Sequence, residues 1–237
     1  MTENLPGYVS TTFILTTFLT VGFLFYAVKK SVFDSWPAKI LVFLVGFWIF
    51  FQAALALSGF YLSFDALPPR IILFGVLPAI LLMLVYFLFF RRGFVEQLPL
   101  ATLTLLHVVR VPVEIVLYWL FENSLVPRAM TFEGRNFDIL SGITAPLVYF
   151  LAFRAGRVNR PLLIAWNLAA LALLFVIVAT AIETSPFPGQ MLPFEQTNRA
   201  VLYFPYVWLP SIVVPIVLFA HLASLWQLFK NLPVRQK

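Results

Sequence analysis

An all-helical integral membrane bundle of seven transmembrane helices is the fold class this sequence predicts, and three observations predict it. Hydrophobic residues make up 62% of the chain and charged residues 11%, with a mean hydropathy of +0.95; a soluble domain has about 45–50% and about 25%. Apolar runs of membrane length recur along the chain, and about 20 helical residues cross roughly 30 Å of hydrocarbon. Basic residues collect in alternate loops, the pattern of a chain that crosses a bilayer repeatedly. No polar segment is long enough to build a separate core, so residues 1–237 read as one transmembrane domain. Cysteine is absent, which excludes disulfides, thiolate metal sites and cysteine nucleophiles. The net charge of +6 follows from basic residues at helix ends and points to no nucleic-acid partner. The expected partners are the lipid bilayer and a small molecule or lipid, with a second copy of the chain or another membrane subunit as a further option.

In order, the spans are Tyr8–Val28, Ile40–Leu62, Ile71–Phe90, Leu98–Phe121, Phe137–Phe153, Leu162–Ile182 and Val201–Phe229. The opening MTENLPG lacks the basic region of a cleaved signal peptide, so the first span is expected to be retained. That span carries Thr12, Thr16 and Thr20 on one face, where hydroxyls bond their own helix or a neighbour. Gln52 in the second span needs an interior partner for its amide. The third span contains FGVLPAI (Phe74 to Ile80) and the seventh YVWLPSI (Tyr206 to Ile212). With Pro37 and Pro161 each preceding the second helix of a triplet, these strings suggest a parallel 3+1+3 repeat with the fourth helix as linker. In the fifth span Ser141, Gly142 and Ala145 share a face with Asp138, a small-residue surface that permits close helix contact. The sixth has Asn167. The seventh, long enough to tilt or kink, has Pro205, Pro210 and Pro215, then His221, Ser224 and Gln227.

Charge sets the expected orientation. Lys29, Lys30, Lys39, Arg91, Arg92, Arg154, Arg157, Arg160, Lys230, Arg235 and Lys237 share one side, against Arg70, Arg128, Arg135 and Arg199 on the other. The positive-inside rule then places the N-terminus outside and the C-terminus in the cytoplasm, in a cell inner membrane. The acids Glu3, Asp65, Glu122, Glu133, Asp138, Glu183 and Glu195 fall on the outer side.

Chemistry concentrates in the fourth span, LPLATLTLLHVVRVPVEIVLYWLF. At about 100° per residue, His107, Arg110, Glu114 and Tyr118 fall within an arc of roughly 60°. An Arg at mid-span costs about 2.5–3.5 kcal/mol on insertion scales, so the stripe should face the interior and pair there. Glu114, one turn from Arg110, is the expected first partner. Pro112 leaves the Val108 carbonyl free to bend the helix or bind something. Two readings stand side by side: a polar pocket in which Arg110 binds an anionic or polar group while Glu114 or His107 handles a proton, and a self-satisfied clamp between helices. In the following outer loop, Glu133, Arg135 and Asn136 are candidates for the mouth of such a pocket, and Asp138 for its outer approach or a helix cap. His107 and His221 lie at similar depth, roughly 12–14 Å from the cytoplasmic helix ends, which admits a haem held between them or part of a metal site. The stretch TSPFPGQMLPFEQTNRAVLYFP reads as a loop over the membrane face, anchored at the interface by Phe187, Phe194, Tyr203 and Tyr206, or as a lid.

Lys29, Lys30, Lys39, Lys230 and Lys237 all lie outside the spans, so a buried retinal Schiff base has no lysine. No HExxH, GxSxG or P-loop occurs. The strings RVPVE, MTFEGRNFDIL, FPYVWLP and HLASLWQL resemble an uncharacterised family of bacterial multi-pass membrane proteins. The resemblance covers most of the chain from the fourth span on and implies a bacterial inner-membrane context, with no activity or cofactor attached. The expected function is binding or transport of a small polar or anionic molecule through the pocket on the fourth helix. Three other classes stay open: a membrane-embedded enzyme acting on a lipid or isoprenoid headgroup, a haem-binding redox protein, and a structural subunit of a membrane complex.

Overall fold

Backbone polar groups that water cannot reach must bond one another, and an apolar chain does this by coiling into helices. The computed structural model describes residues 5–154, 157–187 and 196–232, and these hold α1 (Gly7–Ser31), α2 (Trp36–Leu57), α3 (Ile72–Phe89), α4 (Leu100–Glu122), α5 (Ile139–Ala152), α6 (Arg160–Glu183) and α7 (Leu209–Phe229). Six of them are long and apolar enough to cross a membrane. The fifth expected span differs, since α5 has only 14 residues. Its polar start lies inside the bundle, where Asp138 meets Arg110 near the middle of α4, so α5 begins part-way down the protein. The connection before it is drawn inwards as well: Val126, Met130, Thr131 and Asn136 are all buried.

The seventh expected span also shortens. It begins at Leu209, so Pro210 falls in the first turn, where its missing N–H costs nothing. Residues 200–202 form a separate 3-10 turn. Likewise α2 stops at Leu57, and Phe60–Leu62 is a 3-10 turn entered through Gly59 at φ +73°, a backbone shape that suits glycine.

Both α3 and α7 open with a π-helical turn, Ile72–Val76 and Leu209–Val213, followed two residues on by Pro78 and Pro215. A proline gives no hydrogen bond to the carbonyl four residues back, which leaves Phe74 and Ser211 open. One face of α2 fills both vacancies. Gln52 Nε2 donates to the Phe74 carbonyl (2.7 Å) and Trp48 Nε1 to that of Ser211 (3.1 Å). Tyr61 donates to Gln52 Oε1 at 2.7 Å, so the amide is satisfied on both sides. The proline that matches Pro78 by geometry is thus Pro215, whereas the matching letters pair it with Pro210. The structure does not support the letter repeat or the 3+1+3 arrangement built on it.

At the centre, α4 packs against α1, α5 and α7. Thr16, Thr17 and Thr20 of α1 are buried and turn their hydroxyls back to their own helix, on Thr12, Phe13 and Thr16 carbonyls. Basic residues gather at one end of the bundle: Arg91 and Lys230 lie over the Trp226 ring, whose N–H donates to Glu96, and Arg160 donates to Asn231. The opposite end is tied by Arg135 to Glu183 (3.2 Å), by Arg70 to the Phe60 carbonyl, and by the Ala200 N–H to the Leu125 carbonyl. Phe43, Phe50, Leu88, Phe89 and Phe150 stand exposed on the outer surface. Glu3, Phe194, Glu195, Arg235 and Lys237 lie outside the described residues.

Candidate functional site

Pro112 shapes the site from within α4. Because it cannot bond the Val108 carbonyl, the helix tightens into a 3-10 turn at His107–Val109 and resumes at Arg110. Arg110 is 3% exposed and every nitrogen of its guanidinium is engaged. Nε donates to Asp138 Oδ2 at 2.6 Å, and Nη2 donates to Asp138 Oδ1 and to the Ala170 carbonyl at 3.0 Å. Nη1 lies 3.0 Å from His221 Nε2. A guanidinium only donates, so His221 Nε2 accepts and its proton sits on Nδ1, which donates to Asn167 Oδ1 at 2.8 Å. Asn167 in turn donates to the Leu163 carbonyl. One arginine therefore ties α4 to α5, α6 and α7.

This corrects the expected pairing with Glu114. A planar fork binds best to a carboxylate that meets it edge-on, and Asp138 on the facing element does so with both oxygens. Asp138 makes no side-chain cap bond at the start of α5; Arg110 takes its carboxylate instead. The small-residue face makes the approach feasible: a Cβ on Gly142 would lie 2.8 Å from Val111 N and 3.3 Å from Arg110 Cβ.

Glu114 is 1% exposed and bonds to Asn136, whose Nδ2 donates to Oε2 and to the Met130 carbonyl. Asn136 Oδ1 accepts from the Asp138 N–H at 3.0 Å, so this one amide positions both carboxylates. The loop can bring it there because Gly134 lies directly on the Arg128 carbonyl, with no room for a side chain. Glu114 Oε1 accepts no hydrogen bond among the described residues.

The remaining expected residues separate into two places. Glu133 pairs with Arg128 at 3.9 Å and Arg135 with Glu183, all well exposed at the far end. Tyr118 stacks on Phe132 with ring centroids 5.0 Å apart. These three are not on the wall of the cavity described below. The two histidines do meet, with rings stacked 3.9 Å apart at 22°. His107 is wholly buried, and neither of its nitrogens has a hydrogen-bond partner among the described residues. Axial haem ligation requires a porphyrin between the two imidazoles. Rings in face contact leave no space for one, and both nitrogens of His221 are engaged, so the haem reading does not fit. Among the described residues no group of three ligating side chains converges for a metal either.

A cavity of about 290 Å³ adjoins the ionic network. Arg110, Glu114 and Asp138 form its charged side, and Leu117, Leu174, Ile177 and Val217 are among its apolar walls. Ile72 at the start of α3 and Ile182 at the end of α6 belong to its wall and are 41% and 63% exposed. Phe187, expected as an interfacial anchor, is 7% exposed and closes the cavity from above. Tyr206 is likewise turned inwards, hydrogen-bonded to Ser10 at 2.9 Å, because its hydroxyl finds a buried partner. The Ala170 carbonyl and the Phe187 wall carry no sequence signal; Asn167, a polar residue in an apolar run, did.

Fold and site together define a helical protein of membrane-length apolar helices, with an ion-paired centre and a cavity beside it. The chain belongs to the family of the domain of unknown function DUF8737, which matches residues 68–229 and so includes every residue of the ionic network. No curated protein and no solved structure matches it.

Proposed function

We propose that this is a multi-pass membrane protein that binds or transports a small amphipathic molecule, taken up from the bilayer between α3 and α6, where Ile72 and Ile182 of the cavity wall are exposed. The observation that carries this reading is the cavity itself: about 290 Å³, apolar over most of its wall, and bounded on one side by Arg110, Glu114 and Asp138. Sites of this size and composition hold small ligands by apolar contact and orient them by a few polar groups. Ionisable residues inside a membrane are costly and mark ligand or ion pathways. Arg110 is not a free anchor for an anion, since Asp138, His221 and Ala170 already occupy its nitrogens. Its part is to hold the charged wall in shape. The basic end of the bundle faces the cytoplasm in this reading.

Photo-crosslinking tests it. A diazirine-bearing amphiphile of acyl or isoprenoid type, added to the protein in lipid nanodiscs, is expected to label Leu174, Ile177 and Val217. Ile177→Trp, which fills the cavity, should abolish that labelling. Labelling confined to outward residues such as Phe150 and Leu88 would sink the proposal.

A further inference from the structure

The charged side of the cavity has an uneven count. Arg110 is the one cation there among the described residues, and Asp138 takes its fork with both oxygens. Glu114 receives only the neutral Asn136 amide. Among the described residues, no other element packed around it supplies a positive charge. In α1, which packs against α4, the buried polar side chains are Thr16, Thr17 and Thr20, whose hydroxyls serve their own backbone. The mid-level polar groups of α6 and α7 are Asn167 and His221, the latter held as an acceptor by Arg110. The flanking residues of α3 are Ile72 and Val76. Arg128 and Arg135 of the loop pair with Glu133 and Glu183 in exposed positions.

An unpaired carboxylate in a dry wall is costly, and removing its charge or matching it relieves that cost. Glu114 therefore has room for one positive charge: a proton when the cavity is empty, or the cationic group of a ligand. We propose that the cavity selects amphipathic cations, with an ammonium-type head against Glu114 and an apolar body along Leu117, Leu174 and Ile177, and that each cation displaces a proton from Glu114. This rests on the cavity being a ligand site, as argued above, and names the class of ligand.

The test uses the full chain in phosphatidylcholine nanodiscs, which carry no net surface charge, and three matched probes. These are 4-phenylbutyl-trimethylammonium, its uncharged tert-butyl isostere and the corresponding sulfonate, each followed by equilibrium dialysis between pH 5 and pH 9. The ammonium probe should bind tightest, with affinity rising about tenfold per pH unit over the range where the carboxyl is protonated. Glu114→Gln keeps an acceptor for Asn136 and should bind the ammonium probe at least about tenfold more weakly, without pH dependence, while still taking the isostere. A pH-independent affinity in the unmodified protein, an unchanged affinity in the variant, or a preference for the sulfonate overturns the cation assignment and leaves the cavity as a ligand site. Failure of all three probes to bind overturns both.

Discussion

Asp138 decides more than its position just before a helix suggests. Its carboxylate neutralises Arg110, and the guanidinium then orients His221 and caps the Ala170 carbonyl. Removing one member of a buried pair strands the other charge, which costs about 3–5 kcal/mol. Asp138→Asn should therefore lower thermal stability in detergent by that order, and combining it with Arg110→Gln should recover part of the loss. If the double variant melts no higher than Asp138→Asn alone, the pair is not the element that holds the centre. Residue types and positions made Arg110, Glu114 and His221 legible as interior polar groups, whereas Asn136 and Asp138 read only as residues of the outer mouth and are buried by the fold. Their pairing was not legible. Helical spacing favoured Glu114 for Arg110, but a side chain on the same helix cannot offer the in-plane, two-oxygen geometry that Asp138 offers from across the gap.

Elements in this protein are held by bonds that proline makes necessary. Pro78 and Pro215 free two carbonyls, and Gln52 and Trp48 of α2 reach across to them. Gln52→Leu would leave the Phe74 carbonyl and the Tyr61 hydroxyl unpartnered, at about 1–3 kcal/mol for each buried group. Hydrogen exchange over residues 72–78 should accelerate in that variant while α6 is unaffected; uniform protection would show that the bond to Phe74 is dispensable. A second element-level contact is the face of α5 on α4. With a Cβ at Gly142 already 2.8 Å from Val111 N, Gly142→Val must push the helices apart. The expected result is a loss of stability comparable to that of Asp138→Asn, because both separate Arg110 from its carboxylate. Stability within about 1 kcal/mol of the parent protein, on the same melting assay, would count against that coupling. The prolines and the small-residue face were visible in the chain, whereas the donors that answer the prolines came from a different helix and had no local signature.

At the scale of the whole molecule, charge sorts the loops. The connection carrying Arg91, the start of α6 at Arg160 and the end of α7 at Lys230 meet at one end. If that end faces the cytoplasm, a membrane-impermeant maleimide applied to right-side-out vesicles should label the Glu133→Cys protein directly. The Lys230→Cys protein should react only after the vesicles are opened. The chain contains no cysteine, so each variant carries a single reactive thiol. The reverse pattern would invert the orientation. Seven apolar runs were also apparent at this scale, but one of them folds as the short α5, since Asp138, the residue just before it, is held near the middle of the bundle by Arg110.

Hydrophobicity and turn residues act locally, and so the sequence by itself determined that the chain forms apolar helices, where most of them lie, and which few polar residues must be turned inwards. Long-range geometry was left to the tertiary structure. Only the packed helices decided that Asp138 and not Glu114 neutralises Arg110, that His107 and His221 stack too closely to hold a haem, and that Phe187 and Tyr206 point inwards. The cavity beside Glu114 is of the same kind, because its walls come from helices far apart in the chain. A void is set by how closely surfaces meet, which no single segment encodes.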